Sequence, residues 1–182
     1  MEKQLKTGNR ALVMTAMFAA LSCTATMVIR IPSPSGGYMN LGDTTVLLGA
    51  YLLGPLYGAI AGGIGSALAD LLSAYPMYVP GTLVIKGAMA LAAGYLYGAG
   101  ERRLGGILLA GAVGECIMVA GYWLYDGALA AVSGSGFSAA FLGSAAGIPS
   151  NLVQAGFGLA ASTLLLLALR KNGRIRREFP RA

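Results

Sequence analysis

The sequence contains no histidine, and this absence excludes several classes of functional site. HExxH zinc centres, Ser-His-Asp triads and histidine proton relays all need an imidazole. The cysteines, Cys23 and Cys116, lie in apolar runs with no CxxC or CxxxC spacing. We interpret them as small apolar helix residues and expect neither a disulfide nor a metal site.

Charged residues are also scarce. They make up 11% of the 182 residues, whereas a soluble domain carries roughly 25%. Apolar residues make up 56% of the chain, which is more than a soluble core of this size would bury. The composition therefore predicts an all-α integral membrane protein, and the length allows a single membrane domain over residues 1–182.

Uncharged stretches separated by turn residues predict the membrane spans. The stretch at 44–69 could be one long kinked span or two spans joined at Gly54-Pro55. Splitting it gives six transmembrane helices in a compact bundle, at residues 11–29, 41–53, 55–74, 81–99, 105–125 and 144–169. We expect a Gly/Ser-rich loop at 127–143 and a basic cytoplasmic tail at 170–182.

The basic residues favour the count of six, because loops that carry Lys and Arg stay in the cytoplasm. The tail is basic, and so is the N-terminus, which contains Lys3, Lys6 and Arg10. An even number of spans places both termini in the cytoplasm, whereas five spans would leave one basic terminus outside. With six spans every basic residue except Arg30 and Lys86 lies on the cytoplasmic side, including Arg102 and Arg103.

Polar residues inside the predicted spans point to a binding site, because an ionisable group in a membrane is costly unless it is paired or hydrated. In the six-span topology they collect, with several aromatic residues, in the extracellular half. We therefore expect a cavity open to the outside, where aromatic rings stack on a flat solute and polar groups orient it. The candidate binding residues are Asn40, Asp43, Asp70, Tyr75, Tyr78, Lys86, Glu115, Trp123, Asn151 and Gln154.

Other interpretations remain open for some of these residues. Asp70 and Lys86 could form a structural ion pair, and the tyrosines could belong to the aromatic belt at the membrane interface. Asp43, Asp70 and Glu115 could instead be acid, base or metal ligands of an intramembrane enzyme, although they are scattered and form no DxxD cluster. A structural subunit without a ligand is a further alternative, and it makes Lys86 and Glu115 harder to explain.

No energy source for transport is visible in the sequence. Residues 81–87 resemble a phosphate-binding loop only superficially, because the required spacing and the glycine before the lysine are missing. A gradient-driven carrier usually has more helices, often as inverted repeats, and the two halves of this chain lack such symmetry. We expect a subunit that captures a solute for a separate motor. A self-sufficient carrier working as a homodimer is the alternative.

Several short motifs resemble those of one family of membrane proteins. They are Gly42-Asp43-Thr44-Thr45, Leu53-Gly54-Pro55-Leu56-Tyr57-Gly58, Gly65-Ser66-Ala67-Leu68-Ala69-Asp70-Leu71-Leu72, Tyr78 and Thr82-Leu83-Val84-Ile85-Lys86-Gly87. Together they are similar to the S components, the substrate-binding membrane subunits of energy-coupling factor (ECF) vitamin transporters. The similarity runs from about residue 11 to the sixth span, and it looks closest to the riboflavin, hydroxymethylpyrimidine and pyridoxine branch.

The resemblance implies a six-helix S component that binds a vitamin from outside and is not an enzyme. Such a subunit docks on a transmembrane coupling protein that carries two ATPase subunits. Docking uses an Ala-x-x-x-Ala motif on the first helix, which Ala16 and Ala20 match. Residues 31–40 and the loop after the third span would cover the ligand.

The same resemblance sets the expected surroundings of the chain. We expect no cofactor, no nucleic-acid partner and a location in a prokaryotic cytoplasmic membrane, with the basic tail touching anionic lipid. The cargo is expected to be a small pyridoxine-like or hydroxymethylpyrimidine-like heterocycle. If all are ionised, the candidate carboxylates, Lys86 and Arg30 sum to about −1, which disfavours a strongly anionic solute. Riboflavin, thiamine or another vitamin are the alternatives.

Overall fold

Helices account for most of the architecture, and the computed structural model describes residues 8–100, 103–179 and 181. In these residues the α-helices are α1 (Asn9–Val28), α2 (Gly42–Leu53), α3 (Pro55–Leu72), α4 (Val79–Ala99), α5 (Leu104–Val132), α6 (Phe137–Ser144), α7 (Ile148–Arg170) and α8 (Gly173–Glu178). Short 3-10 turns precede α4 at Pro76–Tyr78 and α7 at Ala145–Gly147. The basic residues Lys3, Lys6 and Arg102 lie outside the described part.

A short β-hairpin follows α1. Its strands, β1 (Arg30–Pro32) and β2 (Tyr38–Asn40), pair in antiparallel orientation. The loop between them closes where the N–H of Ser33 donates to the carbonyl of Gly37 at 2.8 Å. The prolines in this stretch cannot continue a helix, and the extended backbone on either side of the loop forms the hairpin instead.

A tight turn at Gly54-Pro55 separates α2 from α3. Gly54 has a φ of 91°, in the left-handed region that favours glycine. Pro55 occupies the first position of α3, where a missing N–H costs no helical hydrogen bond. The chain therefore reverses direction here and forms two helices rather than one long kinked helix.

The long helices alternate in direction, which brings both described ends of the chain to one end of the bundle. Arg10, at the start of α1, forms an ion pair with Glu178 of α8. The hydroxyl of Tyr51, near the end of α2, donates to the carbonyl of Ile107 at the start of α5, at 3.3 Å. We call this end of the bundle the tail end, and the opposite end, which carries β1 and β2, the hairpin end.

Five helical segments in the described part of the chain are long and apolar enough to cross a membrane: Asn9–Val28, Pro55–Leu72, Pro76–Ala99, Leu104–Val132 and Phe137–Arg170. They fit an all-α membrane protein. The span expected at 41–53 corresponds to α2, but 12 residues extend only about 18 Å. The hydrocarbon core of a bilayer is about 30 Å thick, so α2 lacks the length to cross by itself, and the expected count of six is not reached by helices of crossing length.

The region after residue 125 also differs from the expected loop. Helix α5 continues to Val132, and residues 137–144 form α6. Leucine and alanine occupy residues 129–131 in the last turn of α5, and their high helix propensity carries the helix beyond the length of a single span. Helix α6 folds back on α5, with the ring of Phe141 6.1 Å from that of Trp123.

The short helix α2 forms the centre of the bundle, with every one of its residues buried. Neighbouring helices approach it closely where glycine replaces a larger residue. A Cβ atom added at Gly58 of α3 would lie 2.6 Å from the Cα of Ala50, so the contact depends on the absence of a side chain. This packing holds Asp43, at the start of α2, inside the bundle near the hairpin end.

Candidate functional site

A narrow polar cleft lies beneath the hairpin, between the ends of α3, α4, α5 and α7. Its free volume is about 30 Å³, enough for one or two water molecules. We call it the hairpin cleft. It is lined by Ser33, Ser35, Gly37, Tyr38, Asn40, Asp70, Tyr78, Thr82, Tyr122, Asp126, Asn151 and Gln154. Half of the candidate residues named from the sequence are in this lining: Asn40, Asp70, Tyr78, Asn151 and Gln154.

The hairpin covers the cleft and is fastened to the bundle by side chains of its own. The hydroxyl of Tyr38 donates to Oδ1 of Asp70 at 2.5 Å. Burial raises the pKa of the Tyr38 phenol well above its ordinary value, and the neighbouring Asp70 raises it further. Tyr38 therefore remains a neutral hydrogen-bond donor at physiological pH. On the other side of the cleft, Ser33 and Ser150 share a hydrogen bond of 3.0 Å.

Aromatic rings form one wall of this region. The ring of Tyr75, one of the candidates, does not line the cleft but lies 4.9 Å from Tyr38. It also contacts Tyr78, at 6.1 Å between ring centres. The Tyr78 ring packs beneath the hairpin loop, 3.4 Å from the position that a Cβ on Gly37 would occupy. The lack of a side chain at Gly37 thus allows the loop to pack closely against Tyr78.

Below the cleft, a buried chain of polar groups connects four elements. Lys86 of α4 pairs with Oδ1 of Asp43. The other carboxylate oxygen of Asp43 accepts a hydrogen bond from Nε2 of Gln154, on α7, at 2.6 Å. Oε1 of Gln154 in turn accepts the backbone N–H of Asn40, on β2, at 2.7 Å. We call Lys86, Asp43, Gln154 and Asn40 the polar chain.

The partner of Lys86 differs from the one considered from the sequence. Asp43 and Lys86 are 1% exposed and neutralise each other, as a charge pair in a low-dielectric interior must. Asp70 instead accepts from Tyr38. A salt bridge between Asp70 and Lys86 is therefore not formed, because the start of α2 is inserted between α4 and α7, where it brings Asp43 to the lysine.

The cleft also contains residues that were absent from the candidate set. Thr82 and Tyr122 share a hydrogen bond of 3.0 Å, and Nζ of Lys86 lies 5.3 Å from the centre of the Tyr122 ring. A signal for these residues exists in the spacing of the sequence. Thr82 precedes Lys86 by four positions, and Tyr122 precedes Asp126 by four, so each pair shares one face of its helix.

Two candidate residues on α5 lie away from the cleft. The indole of Trp123 donates to the carbonyl of Phe141 at 3.1 Å, and it lines an apolar crevice between α5 and α7. One residue along a helix turns the side chain by about 100°, so Trp123 faces away when Tyr122 faces the cleft. Glu115 is buried beside the polar chain: a Cβ on Gly158 would lie 2.6 Å from its Oε1 and 2.8 Å from Cβ of Asp43.

The two alanines expected to dock a partner are on the outside of the bundle. Ala16 and Ala20 are both exposed on α1, one helical turn apart. The opposite face of the helix, with Thr15, Ser22 and Thr26, is buried. The alanines thus form a shallow strip of small side chains on the outer face of α1.

The chemistry of the hairpin cleft suits recognition of an uncharged, flat, polar molecule. Tyrosine rings offer surfaces for stacking, and the amides of Asn40 and Gln154 offer donors and acceptors. Asp70 and Asp126 are the acidic residues of the lining. Among the described residues no group of three His, Cys, Asp or Glu side chains could hold a metal ion.

Comparison with known proteins finds one matching family and a similar archaeal protein. Residues 6–171 match the family model described as "ECF-type riboflavin transporter, S component". A protein of Pyrococcus woesei, described as "Uncharacterized protein in gap 3'region", is 48% identical over 98 residues. The alignment covers 53% of this chain and 65% of that protein, slightly less than two thirds of its length.

The family match extends over nearly the whole chain, and the long apolar helices agree with it. It is a family of transport subunits and not a family of enzymes. The chain belongs to the family of S components of ECF-type riboflavin transporters.

Proposed function

We propose that this chain binds riboflavin in the hairpin cleft from the outer side of the membrane and delivers it through an ATP-driven ECF complex. The observation that carries the proposal is the arrangement of the cleft, where tyrosines of three elements meet the amides of Asn40, Asn151 and Gln154 beneath a hairpin. The family description names riboflavin as the cargo type. Both the cargo and the complex are inferences for this chain.

The cleft residues match the parts of a flavin. Riboflavin has a flat tricyclic ring with a polar edge of alternating donors and acceptors, and a chain of hydroxyl groups. Tyr38, Tyr78 and Tyr122 can stack on the ring. The amide of Gln154, already bonded on both sides, can exchange the Asn40 N–H for the polar edge of the ligand. Asp70 and Asp126 accept hydrogen bonds from hydroxyl groups.

The charge of the cleft favours the free vitamin over its phosphate ester. The lining contains Asp70 and Asp126, while the positive charge of Lys86 is neutralised by Asp43. A phosphate placed near these carboxylates would be repelled in a region of low dielectric. We therefore expect flavin mononucleotide to bind much more weakly than riboflavin.

The hairpin must move before a vitamin can enter. Pockets for drug-sized ligands have volumes of about 300–1,000 Å³, and the cleft has about 30 Å³ of free space. Opening it requires the contacts of Tyr38 with Asp70 and of Ser33 with Ser150 to break. The hairpin is thus a cover over the site, and the ligand enters from the hairpin end.

We further propose that the whole chain is one membrane domain with its tail end in the cytoplasm. Arg10, Arg103, Arg170 and the basic face of α8 lie at that end, as positively charged loops do on the cytoplasmic side. Helix α2 then provides a sixth passage together with the hairpin above it. The setting would be a prokaryotic cytoplasmic membrane, with α8 near anionic headgroups.

The exposed strip of Ala16 and Ala20 on α1 is proposed as the contact with the coupling protein. Small side chains let another helix approach the backbone closely, and such contacts hold membrane helices together. The coupling protein would carry the two ATPase subunits, and no other energy source is needed in this chain.

A smaller cargo is a second candidate, and the volume of the cleft favours it. Pyridoxine and hydroxymethylpyrimidine have one ring rather than three, and they would need a smaller displacement of the hairpin from the closed cleft. The same amide and carboxylate groups would orient the ring and its hydroxymethyl substituents.

Calorimetric titration of the purified chain in lipid nanodiscs would test the proposal. The ligands are riboflavin, flavin mononucleotide, pyridoxine and hydroxymethylpyrimidine, each also titrated into Gln154→Leu and the matched control Val153→Leu. We expect saturable, sub-micromolar binding of riboflavin to the wild type and to the control only. If only pyridoxine or hydroxymethylpyrimidine binds, that compound is the cargo instead of riboflavin. If none of the four ligands binds, the proposal is refuted.

A further inference from the structure

The C-terminal part of the chain folds back over the tail end of the bundle. The side chain of Asn172 caps α8 by accepting the N–H of Arg174 at 2.9 Å. Ile175 then packs against the core, and Phe179 is buried. Arg174, Arg176 and Arg177 of α8 are exposed. We call α8, Phe179 and Arg181 the strap.

The strap contacts α1 at two levels. Glu178 pairs with Arg10, whose Nη2 also donates to the Glu178 carbonyl at 3.2 Å. Two turns further along α1, the ring of Phe18 meets the ring of Phe179 edge-on, with centroids 6.4 Å apart and planes at 83°. The Arg10 pair is exposed and contributes little by itself, so the buried aromatic contact is the principal one.

The far end of the strap is anchored in the bundle by Arg181. This side chain is 2% exposed, and its Nη2 donates to the carbonyl of Gly94, near the end of α4, at 2.9 Å. Its guanidinium lies against the turn at Gly54, where a Cβ would be 3.0 Å from Nη1. The hydroxyl of Tyr97 donates to the Arg181 carbonyl at 2.7 Å. A buried guanidinium with this many fixed contacts makes a rigid attachment point.

Helix α1 packs on the bundle along one side only. Its neighbours in the bundle are α2 and α3, and its outer face, with Leu12, Val13 and Met17, is exposed. Phe18 lies between two supports, since a Cβ on Gly49 of α2 would be 3.2 Å from its ring. The strap is therefore a third wall, on the flank of α1 that α2 and α3 leave uncovered.

We propose that the strap positions α1 and thereby presents the strip of Ala16 and Ala20 as a fixed surface for the coupling protein. Phe179 and Arg181 are positioning residues in this scheme, because they act through α1 and contact neither ligand nor partner. The inference rests on the proposed function in its docking part. The orientation of α1 depends on the strap whether or not the chain binds riboflavin.

The test compares two arginines of the same segment. Arg181→Ala removes the buried anchor, while Arg177→Ala removes an exposed arginine of α8 and is the matched control. Phe179→Ala removes the contact with Phe18, and Phe179→Leu keeps an apolar side chain there. The native cysteines are first replaced, as Cys23→Ser and Cys116→Ser. Spin labels are then attached at Val13→Cys on α1 and Leu104→Cys on α5. Pulsed electron paramagnetic resonance in nanodiscs measures the distance between the two labels.

We expect Arg181→Ala and Phe179→Ala to shift or broaden the distance distribution, and Arg177→Ala and Phe179→Leu to keep that of the wild type. The first two variants should also lose co-purification with the ECF coupling module while their riboflavin affinity stays unchanged. Unaltered distances in both would overturn the proposal, and altered distances with full recovery of the complex would overturn its docking part. If the wild type does not bind riboflavin, the proposed function is contradicted, but the distance measurements still test the role of the strap.

Discussion

Tyr38 of the hairpin donates a hydrogen bond of 2.5 Å to Asp70 of α3, so a residue outside the long helices is held by a carboxylate inside them. Both residues line the hairpin cleft, and the proposed opening of the hairpin would break this contact. The exchange of ligand should therefore respond to the hydroxyl of Tyr38 even when its ring is kept.

Tyr38→Phe removes that hydroxyl and keeps the ring. The buried Asp70 then loses a donor, and leaving such a group unsatisfied costs about 1–3 kcal/mol of the closed state. We expect riboflavin to dissociate about tenfold faster or more, measured by stopped-flow fluorescence of the flavin. Tyr95→Phe, on an exposed tyrosine of α4, is the control and should leave the rate unchanged. An unchanged rate in Tyr38→Phe would show that the hairpin is held by other contacts.

Lys86→Met should destabilise the protein strongly. It leaves Asp43 buried without its cation and next to another acidic side chain, Glu115. Breaking a buried ion pair costs about 3–5 kcal/mol. Asp43→Asn combined with Lys86→Met removes both charges and should recover most of the loss. Thermal unfolding in detergent measures both variants. Equal melting temperatures for the single and double variants would contradict the pairing.

Gln154→Leu should weaken ligand binding while the bundle remains folded. The amide joins Asp43 to the backbone of Asn40, and its loss removes hydrogen bonds that orient both the hairpin and the ligand, one of them to a charged group. We expect an affinity at least about tenfold lower by calorimetry. Gln154→Glu keeps the shape but puts a carboxylate against Asp43, and it should bind no better than Gln154→Leu. Near-normal affinity in Gln154→Leu would remove this residue from the site.

Ala16→Leu should separate binding from delivery. The larger side chain lies on the exposed face of α1 and would prevent close approach of a partner helix, without touching the cleft. Riboflavin affinity should be unchanged, while uptake by vesicles that contain the whole ECF complex is lost. Ala88→Leu, on an exposed position of α4, should transport normally. Normal uptake by Ala16→Leu would exclude this face as the docking surface.

Gly58→Ala should destabilise the bundle, because the added methyl would lie 2.6 Å from the backbone of Ala50. Forcing α2 and α3 apart costs about 1–3 kcal/mol. Gly156→Ala, on a helical glycine with nothing within 4 Å, should instead gain about 0.5–1 kcal/mol from helix propensity. Thermal unfolding of both variants in one detergent distinguishes the effects. A loss of equal size at the two sites would indicate that packing around Gly58 is not tight.

The parts of the fold that could be predicted from the sequence are those governed by composition and local breakers. Uncharged runs predicted an all-α membrane protein, and motifs such as Gly42-Asp43-Thr44-Thr45 pointed to the S components. The length of α5 and the presence of α6 were missed, because a span-length rule ends a helix near residue 125 while alanine and leucine continue it.

The site was harder to predict, because its arrangement depends on which faces of the helices turn inward. The sequence analysis selected polar and aromatic residues in the predicted extracellular half of the spans. Five of them line the cleft: Asn40, Asp70, Tyr78, Asn151 and Gln154. The partner of Lys86 depends on how far α2 is inserted, which no periodicity in the sequence reveals. Tyr38 was overlooked because its contact with Asp70 depends on how the hairpin pairs and folds over the bundle, which the sequence pattern does not reveal.

The shortness of α2 has a consequence for biogenesis. A helix of 12 residues with an aspartate at its second position is too short and too polar to leave the translocon for lipid by itself. It must enter the membrane as a helical hairpin with α3, joined at Gly54-Pro55. Helix α2 reaches its final position only after α4 and α7 have been synthesised, because these helices carry Lys86 and Gln154, the partners of Asp43. The centre of the native bundle is thus among the last parts of the chain to settle.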